Sequence, residues 1–107
     1  MEEMTPHQTR LLALCLKALE FSEEPCALDL TGFFAVTSPA GIGPAGMIWA
    51  SVSLWDTISR RLVCSVRRDP IKGTILFKDV MVGKTFWVSR QEADNMDVCP
   101  VQVALCN

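Results

Sequence analysis

Tyrosine is absent from this chain, histidine occurs once, and no two cysteines stand in a Cys-x-x-Cys pair. Each shortage removes a class of chemistry. The lone histidine, His7, has no cysteine or acidic cluster at ligand spacing, so neither a metal centre nor a histidine-based catalytic set is suggested. The five cysteines, Cys15, Cys26, Cys64, Cys99 and Cys106, are odd in number and widely spaced, which argues against a disulfide framework. They read as small hydrophobes of a reducing compartment. Cys64 and Cys99 alternate with core positions and are expected to be inert. Cys106, near the chain end on the opposite face, is the candidate reactive thiol.

Long apolar runs are missing too, so a bilayer-crossing helix is not expected. The opening M-E-E-M is acidic where a signal peptide is basic, and the sequence points to a cytoplasmic protein. A net charge of −2 in 107 residues gives no overall pull toward nucleic acid or an anionic membrane. The charge is uneven, however. Residues 1–55 hold two basic and six acidic groups, residues 56–90 hold eight and three, and residues 91–107 hold three acidic groups only. No cofactor motif is expected. Gly41, Gly43 and Gly46 formally spell G-x-G-x-x-G, but a dinucleotide site needs a helix opening at the third glycine, and the following residues alternate as a strand.

What the chain does contain is one helical pattern and then strands. Half of it is apolar, enough for a single domain over residues 1–107. Thr5-Pro6-His7-Gln8 has the form of a capping box with proline at the first helical position, predicting an amphipathic helix over 5–21. Its polar residues Arg10, Lys17 and Glu20 form a narrow stripe, while Leu11, Leu12, Leu14, Cys15, Leu16, Ala18, Leu19 and Phe21 fill most of the circumference. A helix this apolar has to be covered. Pro25 stops it.

Strands are expected at 28–37, 47–55, 62–67, 74–79, 85–90 and 98–105, with 91–97 as a polar loop. In 47–55, Ile48, Ala50, Val52 and Leu54 alternate with Trp49, Ser51, Ser53 and Trp55. Pro100 cannot donate to a ladder and places the last strand at an edge. The fold class is therefore mainly β: an antiparallel sandwich of six to seven strands over 28–106, preceded by one helix.

The turns carry a resemblance. Leu30-Thr31-Gly32, Gly41 and Pro44-Ala45-Gly46, then Val52-x-Leu54-x-Asp56 with Leu62-Val63, then Asp69-x-x-x-Gly73-x-Ile75-x-Phe77-x-Asp79-Val80-x-x-Gly83-x-x-Phe86-x-Val88 resemble the carboxypeptidase-regulatory-like, or prealbumin-like (transthyretin-like), β-sandwich domains over residues 30–88. The resemblance implies a sandwich of the immunoglobulin-like kind. Its enzymatic relatives, the hydroxyisourate hydrolases, use histidines and a tyrosine-containing C-terminal motif. With one histidine and no tyrosine, the hydrolase activity does not carry over.

Candidate binding residues follow from the alternation. Trp49, Trp55 and Trp87 fall on faces turned away from the core, where they form an aromatic platform for a partner or sugar, or a bed for the N-terminal helix. The bed is the favoured of the two readings, since the helix needs a surface. Arg60, Arg61, Arg67 and Arg68 flank one hairpin as a candidate anion patch. Without interleaved aromatics, nucleic acid is disfavoured. The expected function is a non-enzymatic protein-binding or assembly module that engages another protein or itself as a homo-oligomer. A carbohydrate-binding module on the tryptophans is the alternative, and a cysteine-based enzyme the least favoured.

Overall fold

The structure of the protein is a computed structural model that describes residues 3–96 and 103–105. The chain runs α1 (Pro6–Leu19), β1 (Cys26–Leu30), β2 (Phe33–Ser38), β3 (Gly41–Gly43), β4 (Gly46–Ile48), β5 (Ala50–Asp56), β6 (Leu62–Arg68), β7 (Ile75–Asp79), β8 (Lys84–Val88), α2 (Arg90–Asp94) and β9 (Val103–Leu105). Helix α1 starts as its sequence dictates. The Thr5 hydroxyl accepts from the Gln8 N–H at 3.1 Å, the Gln8 carbonyl oxygen Oε1 accepts from the Thr5 N–H at 2.9 Å, and Pro6 opens the helix.

Seven strands form one antiparallel sheet in the order β8-β7-β6-β5-β2-β1-β9, and β3 pairs with β4 in a separate hairpin. The chain is mainly β with an N-terminal helix, as its patterning predicts. The layer facing the large sheet is α1, however, where the sandwich reading expects a second sheet. The helix lies across β2, β5 and β6. Its buried Leu11, Leu12, Leu14, Cys15, Ala18 and Leu19 meet an inner sheet face of Leu28, Ala35, Val52, Leu54, Val66, Ile75 and Phe77. Each fully buried leucine or phenylalanine contributes about 1.5–3 kcal/mol. Small residues at Ala35, Ala50 and Cys64 leave the helix room to approach.

Two polar contacts fix how α1 sits. Gln8 Nε2 donates to the buried Asp79 Oδ2 at 2.9 Å, and two helical turns further on the Cys15 and Cys64 sulfurs lie 3.6 Å apart. A rotation of the helix would leave Asp79 buried without its donor, which is costlier than the contact is favourable.

Several sequence expectations change in detail. Residues 28–37 are not one strand. Thr31-Gly32 folds them into the β1–β2 hairpin, with Gly32 at φ 83 where a side chain would be strained. Residues 47–55 divide as well. The stretch from Gly41 to Ile48 forms the β3–β4 hairpin, so Ile48, expected inside, is 52% exposed, and the buried alternation begins at Ala50. No helix follows Gly46, which sits in that hairpin. A register shift between Leu54 and Trp55 makes Val63 an extra residue and turns it toward the core beside Cys64. The expected loop at 91–97 contains α2, whose start is capped by Ser89 Oγ accepting from the Glu92 N–H at 3.1 Å. Strand β9 pairs with β1 at the sheet edge, but Leu105 is exposed. Cys99, Pro100 and Cys106 lie outside the described residues.

One turn design recurs three times. Asp56 Oδ1 accepts from the Ile58 and Ser59 N–H groups at 2.9 and 2.8 Å, Asp69 Oδ1 from Ile71 and Lys72 at 2.9 and 3.2 Å, and Asp79 Oδ1 from Met81 at 3.1 Å. Four residues after each aspartate the backbone is left-handed, at Arg60 (φ 62), Gly73 (φ 74) and Gly83 (φ 70). That residue's N–H donates to the aspartate carbonyl at 2.9 Å in every case. The aspartate side chain supplies the local acceptor and the left-handed residue reverses the chain. At the first turn the backbone N–H bonds from Ser59, then Ile58, hold the Asp56 carboxyl below its ordinary pKa.

Arginine is the odd member of that set. Arg60→Gly is expected to raise stability by about 1 kcal/mol, because glycine adopts φ > 0 without the Cβ clash. The check is a shift of the urea midpoint to higher concentration. A second outcome concerns pH. The Cys64 hydrogen bond, and after it burial, push the Cys15 thiol well above the ordinary 9.0. The folded state then holds a proton that the unfolded chain releases. This contribution is complete below pH 9.0 and fades as pH rises toward the folded value, by about 1.4 kcal/mol per pH unit. Cys15→Ala should be less stable than the parent at neutral pH, and the gap should narrow in alkaline urea titrations.

Candidate functional site

Because strand side chains alternate, the face opposite α1 is defined by the register. One cross-strand row runs Asp29, Phe34, Trp55 and Leu62. The next runs Ala27, Val36, Ser53, Ser65, Lys78 and Thr85. A third runs Ser38, Ser51, Arg67, Leu76 and Trp87. Helix α1 packs on the other face, so the tryptophans are not its bed. The favoured sequence expectation is overturned here. The inner rows are apolar almost throughout, whereas the outer rows interleave the indoles with Ser51, Ser53, Ser65, Arg67 and Lys78, which a covering helix would bury.

The three tryptophans do share this outer face, but they do not make one platform. Trp49 and Trp87 meet edge to face, with ring centroids 6.5 Å apart and planes at 71°. Trp55 stacks with Phe34 instead, at 6.0 Å and 5°. The six residues from Trp49 to Trp55 separate the pairs by about 20 Å along the strand. Between them lie the hydroxyls of Ser51, Ser53 and Ser65, with Arg67 and Lys78 exposed beside them. Trp87 is 64% exposed and Val36 42%.

The four arginines do not form one patch. Arg60 and Arg61 sit in the β5–β6 turn, and Arg67 and Arg68 at the far end of β6, again about 20 Å away. Arg67 and Arg68 then point to opposite faces. Arg67 joins Leu76 and Trp87 on the outer face, while Arg68 lines a cleft of about 620 Å³ between α1, α2 and the β6–β7 turn. That cleft has an apolar floor that includes Leu16, Ile75 and Met96, and a rim on which Lys17 pairs with Glu20 at 3.1 Å and Arg90 with Asp94 at 3.9 Å. No histidine, cysteine or hydroxyl side chain lines it among the described residues.

His7 is exposed on the first helical turn. Cys15 and Cys64 are fully buried, and Cys26 Sγ lies 3.1 Å from Thr37 Oγ1. Among the described residues no group of His, Cys, Asp and Glu could hold a metal ion, and no helix is long and apolar enough to cross a membrane. Phe34, Val36, Leu76 and Lys78 belong to the outer face without having been singled out in the sequence. The signal for Phe34 and Val36 was Thr31-Gly32, since a two-residue turn there fixes which of residues 33–38 face out.

Comparison with protein-family models, with curated proteins and with solved structures finds no match.

An exposed indole adds little to folding. Trp87→Ser should change stability by no more than about 0.5 kcal/mol, measured by urea unfolding. It should also remove the most acrylamide-quenchable part of the tryptophan emission. A large loss of stability would mean that Trp87 is packed.

Proposed function

We propose that the protein is a non-enzymatic binding module that docks another protein on the outer face of its sheet. The observation that carries this reading is the placement of α1. The buried side of the helix is engaged by the inner face, which leaves Trp87, Arg67 and Lys78 exposed on the outer face beside the half-buried Trp49 and Leu76. Tryptophan and arginine are the side chains that concentrate binding energy at interfaces, since they bury large areas at small entropic cost. The charge of this half of the face is basic, so the matching surface is an apolar patch bordered by aspartate or glutamate. The buried Cys15 and Cys64 thiols offer no accessible thiolate to a substrate. A sugar-binding platform wants indole faces laid side by side, and the 71° angle between Trp49 and Trp87 presents an edge.

The test is site-specific crosslinking. A photo-reactive amino acid at Trp87 or Val36 should give covalent adducts with a partner protein in cell extract. The same probe at Ile71, 72% exposed on the β6–β7 turn, should give none, and Arg67→Glu should abolish the outer-face adducts. Equal labelling at all three positions, or glycan-array binding that Trp87→Ser removes, would overturn the reading.

A further inference from the structure

Among the described residues the sheet is open, and its two edges differ. β9 at one side has three residues, whereas β8 at the other has five, Lys84-Thr85-Phe86-Trp87-Val88, with strong β propensity. Natural sheets blunt such edges with proline, bulges or charges within the strand. β8 has no proline, shows no register shift against β7, and carries its one charge, Lys84, at the end. No described strand lies beyond it.

The ladder pattern fixes which backbone groups face the open side. The Asp69 N–H donates to the Thr74 carbonyl at 2.9 Å, and the Val80 N–H to the Val63 carbonyl at 3.1 Å. These are hydrogen-bonded pairs of the β6–β7 ladder, so Leu76 and Lys78, which lie between them in phase, also turn their main chain toward β6. Ile75, Phe77 and Asp79 therefore turn theirs toward β8, where they pair with Val88, Phe86 and Lys84. In β8 the alternate residues are left. Thr85 and Trp87 aim N–H and C=O at the open edge.

We propose that β8 is the seam of a homodimer in which the sheets of two copies join antiparallel about a two-fold axis at Phe86. In that register Thr85 of each copy faces Trp87 of the other, and each of the four residues both donates and accepts a backbone hydrogen bond. Moving the axis to Thr85 or Trp87 would leave the other residue paired outside β8. The side chains agree with this register. Phe86, half-buried against Phe77 at 6.1 Å, meets Phe86 of the second copy across a non-hydrogen-bonded pair, where side chains approach most closely. The inner aromatic row then continues from one core to the next. Lys84 faces Val88, so no like charges are opposed. A seam this short buries less than a standard interface, and the dimer dissociates on dilution. The proposal goes beyond partner docking, since it uses the edge of the sheet and leaves the outer face free.

Sedimentation equilibrium of the full chain tests it with two variants. Thr85→Pro removes an N–H that points away from β7, so the β7–β8 ladder survives while the seam is blocked. The dimer dissociation constant should rise about tenfold or more, equivalent to about 1.4 kcal/mol. Circular dichroism should be unchanged and outer-face crosslinking retained. Phe86→Cys should form a reducible covalent dimer with oxidised glutathione much faster than Ile58→Cys, which is exposed in the β5–β6 turn. If Thr85→Pro fails to fold, the Phe86→Cys result decides. A parent protein monomeric at every concentration overturns the proposal, and so does a dimer that withstands Thr85→Pro and is not trapped at Phe86→Cys. Loss of outer-face crosslinking with the dimer intact would remove the docking reading alone.

Discussion

Everything in this protein depends on how α1 meets the inner face of the sheet. Seven strands in one antiparallel layer cannot bury a core by themselves, and a single face left to water would forfeit the burial of Val52, Leu54, Val66, Ile75 and Phe77. The helix supplies the missing layer. Its Gln8–Asp79 hydrogen bond and the Cys15–Cys64 contact select one rotation and one axial position out of the several that an almost uniformly apolar helix would allow. Nonpolar burial gives the association its strength, and two buried polar contacts give it a register.

The same Asp79 links that packing to the turns. Its Oδ2 holds α1 while its Oδ1 holds the β7–β8 turn, so the helix start and the entry to β8 are fixed by one carboxyl group. The β5–β6 and β6–β7 turns repeat the construction around Asp56 and Asp69, with a left-handed residue four positions on. Short turns of one design yield a meander in which neighbours in sequence are neighbours in the sheet. A meander that does not close has free edges. The openness at β8 is therefore a consequence of the turn chemistry.

Two surfaces remain once α1 is placed: the outer face with its paired aromatics and the β8 edge, beyond which no described strand lies. They differ in kind. The face offers side-chain area and positive charge from Arg67 and Lys78, which suits a folded acidic partner. The edge offers backbone donors and acceptors at Thr85 and Trp87, which suit another strand. Trp87 belongs to both, with its indole on the face and its amide at the edge. A dimer joined at β8 would bring two such faces side by side and make docking bivalent.

Local signals in the sequence determined much of this. The capping box at Thr5, the stop before Pro25, the period-2 alternation of β5 to β7 and the Asp–Gly turns are short-range chemistry, and they yielded the helix, the strands and a mainly β class. The alternation also placed Trp49, Trp55 and Trp87 together on the non-core side. Where local signals are weak, the elements differ from expectation: Thr31-Gly32 stands inside an apolar run, and α2, five residues long, is too short to show a helical period. Only the tertiary structure decided which face of the sheet the helix covers, because the outer face also carries large apolar side chains, and it is the strand pairing that sets Ser53, Ser65, Arg67 and Lys78 among them. Strand order likewise decided that the arginines part to opposite ends and faces, that Phe34 joins Trp55, and that β8 ends the sheet. These are long-range pairings, and no window of sequence contains them.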